Sequence, residues 1–415
     1  MSERIHARYI VETADEPRRA VEVMAGEQSS GTFVAVPGET ADIRERSGAR
    51  IESLTVVEDV DAPSLPGARA GRIYHRCAVE LSWPLENLGP SLPNLVATVA
   101  GNLFELKQFS GLRIVDIDLP RAFATRYEGP QFGIEGTRRL SGVADGPLIG
   151  TIVKPSVGLT PEATADLVDT LAGAGIDFIK DDELQSDGPA CPFEARARMV
   201  MAVIDRHADR TGKKVMFAFN VTGDLDEMRR RHDLVLSLGG TCVMASLNSV
   251  GLVGMIELRR HAALPIHAHR NGWGYLSRAP MLGWDYPAWS KLWRLAGADH
   301  MHVNGIRNKF CEEDASVVRS AKSLLAPMFP DKPCVAMPVF SSGQTAAQAA
   351  DTWRALGGTD LIYAAGGGIM AHPDGIAAGV RGLRQAWEAA ASGIDAEAYA
   401  KTHPEFRVAL EALAR

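Results

Sequence analysis

The chain has 415 residues, 46% of them hydrophobic and 23% charged, with a formal net charge of -7. That length exceeds the usual single domain and predicts two, one of them large. The negative balance, without a basic block or stripe, excludes phosphate-backbone binding and hence a nucleic-acid partner, although local basic groups can still hold a small phosphorylated ligand. The cysteines Cys77, Cys191, Cys242, Cys311 and Cys334 are odd in number, widely spaced and free of any CxxC pair. Neither a disulfide framework nor a structural zinc site is expected, and a reducing compartment fits. Met1-Ser2-Glu3-Arg4-Ile5-His6 lacks the apolar run of a signal peptide, and no stretch has the length of a membrane span, so the expected location is the cytoplasm, away from membranes.

In chain order, apolar runs at 8–12, 32–35, 51–57 and 76–81 predict strands, and 17–24 and 92–102 predict helices. Elements segregated in this way suggest a small α+β domain. Residues 121–146, rich in Gly, Arg and Pro, show no period and read as the crossing between domains. From Pro147 one pattern recurs eight times: a short apolar strand, a polar or Gly-rich tip, then an amphipathic helix. The strands are expected at 148–154, 178–182, 214–220, 242–248, 265–270, 300–304, 334–341 and 361–365, with helices beginning near Pro161, Pro192, Leu225, Val253, Tyr286, Ala315, Thr345 and Pro373. Strands this apolar need cover on both faces, as in a parallel sheet under helices. Eight β/α units in roughly 240 residues match a TIM barrel of roughly 250, giving an α/β class with a C-terminal (β/α)8 barrel. The rival, an open doubly wound sheet, lacks a GxGxxG after the first strand.

Active sites of TIM barrels lie at the C-terminal strand ends. Those tips carry Lys154; Lys180, Asp182 and Glu183; Asn220; Asn248; His269 and Arg270; His302 and Asn304; Ser341-Ser342-Gly343; and Gly366-Gly367-Gly368. Buried charges need a partner, a metal or a ligand, so such a convergence is costly without function. Asp182 and Glu183 supply hard oxygen ligands suited to Mg²⁺. Lys180 is awkward beside them unless it is neutral, or converted by CO₂ to a carbamate, which turns a cation into an oxygen ligand. Backbone amides after strands 7 and 8 are the usual barrel phosphate grip, and Arg270 and His302 can bind a second anionic group. His267 and His300 read as hydrogen-bonded structural histidines. Neither Ser341 nor Ser342 sits in GxSxG, which argues against an acyl-enzyme serine.

Together these residues resemble the RuBisCO large-subunit superfamily over most of the chain. The resemblance is carried by Gly150-Thr151-Ile152-Val153-Lys154-Pro155, Asp177-Phe178-Ile179-Lys180-Asp181-Asp182-Glu183, His269-Arg270, Asp299-His300-Met301-His302, Lys309, Pro338-Val339-Phe340-Ser341 and Gly366-Gly367-Gly368 with His372-Pro373. In the small domain it is carried by Glu27-Gln28-Ser29-Ser30-Gly31-Thr32 and Gly101-Asn102. The resemblance implies a ferredoxin-like α+β domain over 1–124 and a catalytic barrel over 125–415. It implies a carbamylated Lys180 binding Mg²⁺ with Asp182 and Glu183. Arg270, His302 and Ser341 would hold one end of a phosphorylated substrate, and Gly343, Gly366, Gly367 and Thr32 the other. Lys154 would move protons to or from an enediolate, His269 would belong to the catalytic set, and Lys309 would lie on a mobile loop. Asn102, with the other small-domain segment, would complete the site of a neighbouring subunit in an antiparallel homodimer.

The departures narrow the resemblance to the non-carboxylating, RuBisCO-like branch (form IV). Ser156 stands where carboxylating members carry a second lysine, and Phe33 where they carry tryptophan. The loop Asn304-Gly305-Ile306-Arg307-Asn308-Lys309 and the segment Asn271-Gly272-Trp273-Gly274 also differ, and the sequence stops at Arg415, shorter than most carboxylating subunits. The retained groups support reactions through an enediolate. The favoured one is decarboxylation of a β-keto sugar acid of the 3-oxo-isoapionate 4-phosphate type, because CO₂ loss yields the enediolate directly. The alternatives are an enolase or isomerase of a diketo or ketose phosphate of the methionine-salvage type, a true ribulose-bisphosphate carboxylase, and a non-catalytic binding protein.

Overall fold

The structure is a computed structural model that describes residues 3–31 and 36–413; the strand expected at 32–35, with Thr32 and Phe33, lies outside the described residues. The chain divides into two compact units, Met1–Glu128 with Gly272–Leu295, and Gly129–Asn271 with Ala296–Arg415. The strands are, in chain order, β1 (Arg4–Thr13), β2 (Arg50–Val60), β3 (Tyr74–Pro84), β4 (Gly111–Asp118) and β5 (Leu148–Ile152). There follow β6 (Phe178–Lys180), β7 (Met216–Asn220), β8 (Cys242–Ser246) and β9 (Ile266–His269). The last are β10 (Leu282–Trp284), β11 (His300–Asn304), β12 (Met337–Phe340) and β13 (Ile362–Ala364).

The first unit is a mixed sheet in the order β10-β4-β1-β3-β2. β1 runs antiparallel to β3 and β4, while β10 lies parallel to β4. Ile5, Ala7, Tyr9 and Val11 alternate into a core shared with Val21, Met24, Leu95 and Val99. β4 was not anticipated from sequence. Its apolar positions Leu112 and Ile114 slip out of phase to Ile117, where the β1 register shifts between Arg8 and Tyr9 and a bulge takes up one residue. The helix expected from Tyr286 forms as Tyr286–Leu295 but groups with this unit. There the Arg113 guanidinium donates to the carbonyls of Ser277, Ala279, Leu282 and Trp284.

The second unit is a closed parallel barrel in the order β11-β12-β13-β5-β6-β7-β8-β9. β7, β8 and β11 are buried at every position, as strands covered by both the barrel interior and a helix layer must be. Leu148, Phe178, Met216, Met244, Met337, Val339 and Ile362 belong to the interior cluster. Burying each such side chain contributes about 1.5–3 kcal/mol. Residues read as a periodless crossing include the helix Gly133–Ser141, whose buried positions are Gly133, Gly136, Thr137 and Ser141, too small to register as an apolar stripe. Ile134 and Leu140 of that helix pack on the interior cluster. Asp299, just before β11, accepts from the backbone N–H groups of Phe132 and Gly133.

One tip differs from expectation. Asn248 lies not on a strand but in the first turn of Leu247–His261, a helix broken at Gly251 (φ 71°). Gly366-Gly367-Gly368, where amides beside a helix start were expected, opens the short helix Gly366–Met370.

Candidate active site

Lys180 ends β6 with its side chain 1% exposed, and its Nζ donates to the Asp181 carbonyl at 2.8 Å and to Glu183 Oε2 at 3.1 Å. Burial pushes its pKa below the ordinary lysine value. A lowered pKa enlarges the fraction of neutral amine, the form that adds to CO₂. Burial raises the Glu183 carboxyl, but the neighbouring His269 and Lys180 outweigh it and hold the group at about 2. Asp182, also 1% exposed, accepts from Lys154 Nζ at 2.6 Å. Lys154 Nζ also donates to Ser156 Oγ at 2.8 Å. Ser156 therefore replaces what would be a second ammonium with an acceptor that fixes the first.

The segment is anchored from beneath. Asp181 pairs with Arg196 at 3.2 Å, both side chains fully buried, and accepts from the Asn220 N–H at 2.9 Å. The Asn220 amide donates to the Glu183 carbonyl at 3.2 Å. Arg196 escaped the sequence reading because it sits among Phe193, Ala197 and Val200 on the buried stripe of its helix. Glu183 bonds the buried Lys180 directly, and Asp182, next to it in the chain, adds a second hard carboxylate. This donor set fits Mg²⁺ with a lysine carbamate.

Across the barrel mouth, at the ends of β9, β11 and β12, the groups are of a different kind. His269 Nε2 lies 3.5 Å from Glu183 Oε2, and burial takes its pKa down to about 4. His302 Nδ1 meets Ser341 Oγ at 3.0 Å, and its Nε2 meets His267 Nε2 at 2.8 Å. Among the described residues His267 Nδ1 has no hydrogen-bond partner. A bare lone pair there costs less than an orphaned N–H, so we assign the His267 proton to Nε2, donating to His302, which in turn donates from Nδ1 to Ser341. Burial holds both histidines far below the usual imidazole range, so both are neutral. His300 Nε2 meets Thr137 Oγ1 at 2.7 Å, a purely structural contact.

Arg270, buried, donates to Glu312 Oε2 at 2.6 Å. The same oxygen accepts from the Asn304 amide at 2.7 Å. Sequence reasoning missed Glu312, because Cys311-Glu312-Glu313-Asp314 reads as a solvated loop ahead of a helix. Asn304 and Ser342 both adopt left-handed backbone (φ 68° each) and are joined by a 2.8 Å hydrogen bond. Such strain at non-glycine residues collects at functional sites.

Lys309 is exposed, its backbone N–H bonded to the Ser342 carbonyl at 3.0 Å and its Nζ lying 5.3 Å from the Phe310 ring centroid. Gly343 (φ +91°) needs glycine for its backbone, whereas a Cβ at Gly367 would meet nothing and one at Gly366 only Ile152 at 3.7 Å. Packing does not demand glycine at 366 or 367, and close approach of a ligand to the backbone supplies a reason. In the first unit, Asn102 is exposed, and its N–H bonds the Gln28 amide at 2.9 Å once that amide is oriented to satisfy both neighbours. The two small-domain segments singled out in the sequence are thus adjacent.

Among the described residues, His232, Asp233 and His261 are close enough together to hold a metal. His232 Nε2 accepts from the Ala263 N–H at 3.0 Å, so its Nδ1 carries the proton donated to Asp233 at 3.0 Å and has no lone pair to offer. No helix among the described residues is long and apolar enough to cross a membrane.

Residues 133–413 match the family model for the ribulose bisphosphate carboxylase large chain, catalytic domain, and residues 5–123 that for its N-terminal domain. The chain is 62% identical over 410 residues to 3-oxo-isoapionate-4-phosphate transcarboxylase/hydrolase of Xanthobacter autotrophicus, covering 99% of both chains. It is 45% identical over 404 residues to 3-oxo-isoapionate-4-phosphate decarboxylase of Rhizobium etli, covering 97% of each. A crystal structure of a rubisco-like protein from Burkholderia fungorum superposes with a TM-score of 0.93 at 44% identity, covering 99% of both chains. The chain belongs to the RuBisCO large-chain family, among its RuBisCO-like proteins.

Proposed function

We propose that this protein is a Mg²⁺-dependent enzyme that breaks the bond to the carboxyl group of a β-keto sugar acid of the 3-oxo-isoapionate 4-phosphate type. The observation that carries this reading is Lys154, one ammonium held 2.6 Å from Asp182 and 2.8 Å from Ser156. Breaking the carboxyl–carbon bond leaves its electron pair on the adjacent carbon and ketone as an enediolate. A single placed proton donor then completes the product, and no second lysine is required to take a proton off. Carbamylated Lys180, Asp182 and Glu183 would hold the Mg²⁺, which when bound stabilises negative charge at a ketone oxygen. Ser341, fixed by the neutral His302, would offer a hydrogen bond to a hydroxyl group, and the amides at Gly343, Gly366 and Gly367 would bind the phosphate.

The carboxyl group has two fates. Release as CO₂ is what the name of the Rhizobium relative describes; transfer and hydrolysis is what that of the Xanthobacter relative describes, and the 62% against 45% identity favours the latter. Substrate labelled with ¹³C at the carboxyl carbon decides between them. Label recovered in CO₂ or bicarbonate establishes decarboxylation, and label retained in an organic carboxylate establishes transfer. No consumption of substrate, with proton exchange into a diketo phosphate instead, moves the assignment to an enolase.

We further propose the domain limits 1–124 and 125–415, a cytoplasmic location, which the free cysteines fit, and a homodimer in which Thr32 and Asn102 serve the partner's site. Light scattering together with an Asn102→Ala variant tests the last. A monomer, or unchanged KM in the variant, overturns it.

A further inference from the structure

Glu312 stands on Arg270, which by the family resemblance would hold one end of a phosphorylated substrate, yet it is an anion. Its carboxylate is held by three donors: Arg270 at 2.6 Å, Asn304 at 2.7 Å and Ser316 Oγ at 2.9 Å. Its backbone carbonyl accepts from the Asn308 amide at 3.0 Å. It is therefore seated in a built socket rather than resting on the surface. The loop that carries it is tied to the β12 tip: the Gln344 amide donates to the Ile306 carbonyl at 3.1 Å, and Arg307 donates to the Ala347 carbonyl at 2.9 Å. A side chain at Gly305 would collide with Gln344 at 2.1 Å, so the glycine permits this interlock.

The charges at this end of the mouth cancel. Arg270 is matched by Glu312, and His302 and His267 are neutral because they are buried. An end built for a phosphate dianion would present uncompensated cations. Gly343, Gly366 and Gly367, the other end in that reading, would offer backbone N–H groups, and a Cβ at these positions would meet only Lys309 or Ile152, not a carboxylate.

We propose that Glu312 sets the number of phosphates the site accepts: by capping Arg270 it admits a hydroxyl-bearing end there and restricts phosphate to the glycine end, making the enzyme selective for monophosphates over bisphosphates. This rests on the substrate reading above and deepens it. The substrate named by the curated relatives carries one phosphate, whereas the substrate in the family's own name, ribulose bisphosphate, carries two.

The test is calorimetric binding of xylitol 5-phosphate and xylitol 1,5-bisphosphate, with Mg²⁺ and bicarbonate present, to the full-length protein and to Glu312→Gln. The unaltered protein is expected to bind the monophosphate at least as tightly as the bisphosphate. Glu312→Gln is expected to tighten the bisphosphate by about tenfold or more and the monophosphate by less than about threefold. Ser316→Ala leaves the carboxylate but removes one of its holders, and is expected to shift the preference the same way by about two- to threefold. An unchanged preference in both variants overturns the proposal. So does equal tightening of both ligands, which would make Glu312 a gate that any phosphate displaces. Turnover of the keto acid phosphate is measured separately on the unaltered protein. No turnover with a switched preference defeats the substrate reading alone, and turnover with an unswitched preference defeats this proposal alone.

Discussion

The two halves of the barrel mouth solve the problem of buried polar groups in opposite ways. At β5 and β6, charges are packed densely and balanced against one another: Lys180 with Glu183, Lys154 with Asp182, Asp181 with Arg196. At β9, β11 and β12 the histidines are discharged by burial, and Arg270 is capped by a carboxylate. On the function proposed, the first half would hold a cation and move a proton, and the second would recognise shape and hydroxyl groups with little net charge. Removing a group from the first half should therefore abolish chemistry or folding, and removing one from the second should alter binding.

The largest expected effect is on Lys180. Lys180→Ala removes the amine that would form the carbamate and the partner of Glu183, and turnover should fall by roughly three orders of magnitude or more, as when a catalytic group is lost outright. The ¹³C carbamate resonance expected with labelled CO₂ and Mg²⁺ should be absent from this variant; persisting turnover would remove the metal site from the mechanism. Next is Arg196→Met, which strands the buried Asp181 carboxylate and should cost about 3–5 kcal/mol of stability in denaturant unfolding. A cost below about 1 kcal/mol would show that the ion pair does not anchor the metal segment.

Lys154→Met should lower kcat by about 10²–10⁴ with far less change in thermal stability, since its side chain is 43% exposed. A change confined to KM would make Lys154 a binding group rather than a proton donor. The two halves should also separate in pH. The His269 and His300 pKa values lie at about 4 and about 3 in the folded chain, below the ordinary 6.5. Between those limits the unfolded chain binds protons that the folded one refuses. Stability is thus fully present above pH 6.5 and falls as pH drops toward 4, by up to about 1.4 kcal/mol per pH unit for each histidine. Tm values flat from pH 7 to 4.5 would show that these rings are not buried neutral. The smallest effect belongs to Ser156→Ala, which removes one acceptor from Lys154 and should lower kcat only about two- to tenfold.

The barrel was legible because its strands are short and apolar on both faces, so each tip is marked by the first polar residue after an apolar run. Lys154, Lys180, His302 and Ser341 were found in this way. The rule misled at Asn248, where a helix begins at once after β8. In the first unit a bulge hid β4 by shifting its alternation by one residue, and small residues hid Gly133–Ser141.

The sequence by itself determined the fold class and the chemical types at the mouth, since apolar periodicity and residue identity are local properties of the chain. Only the tertiary structure decided who partners whom. Arg196 beneath Asp181, His267 behind His302 and Glu312 on Arg270 are separated in sequence by 15, 35 and 42 residues. Nothing in a carboxylate's immediate neighbours says which distant donor will meet it. That choice belongs to the closing of the barrel, which brings the ends of β9 and β11 side by side and turns an ordinary loop glutamate into the cap on an arginine.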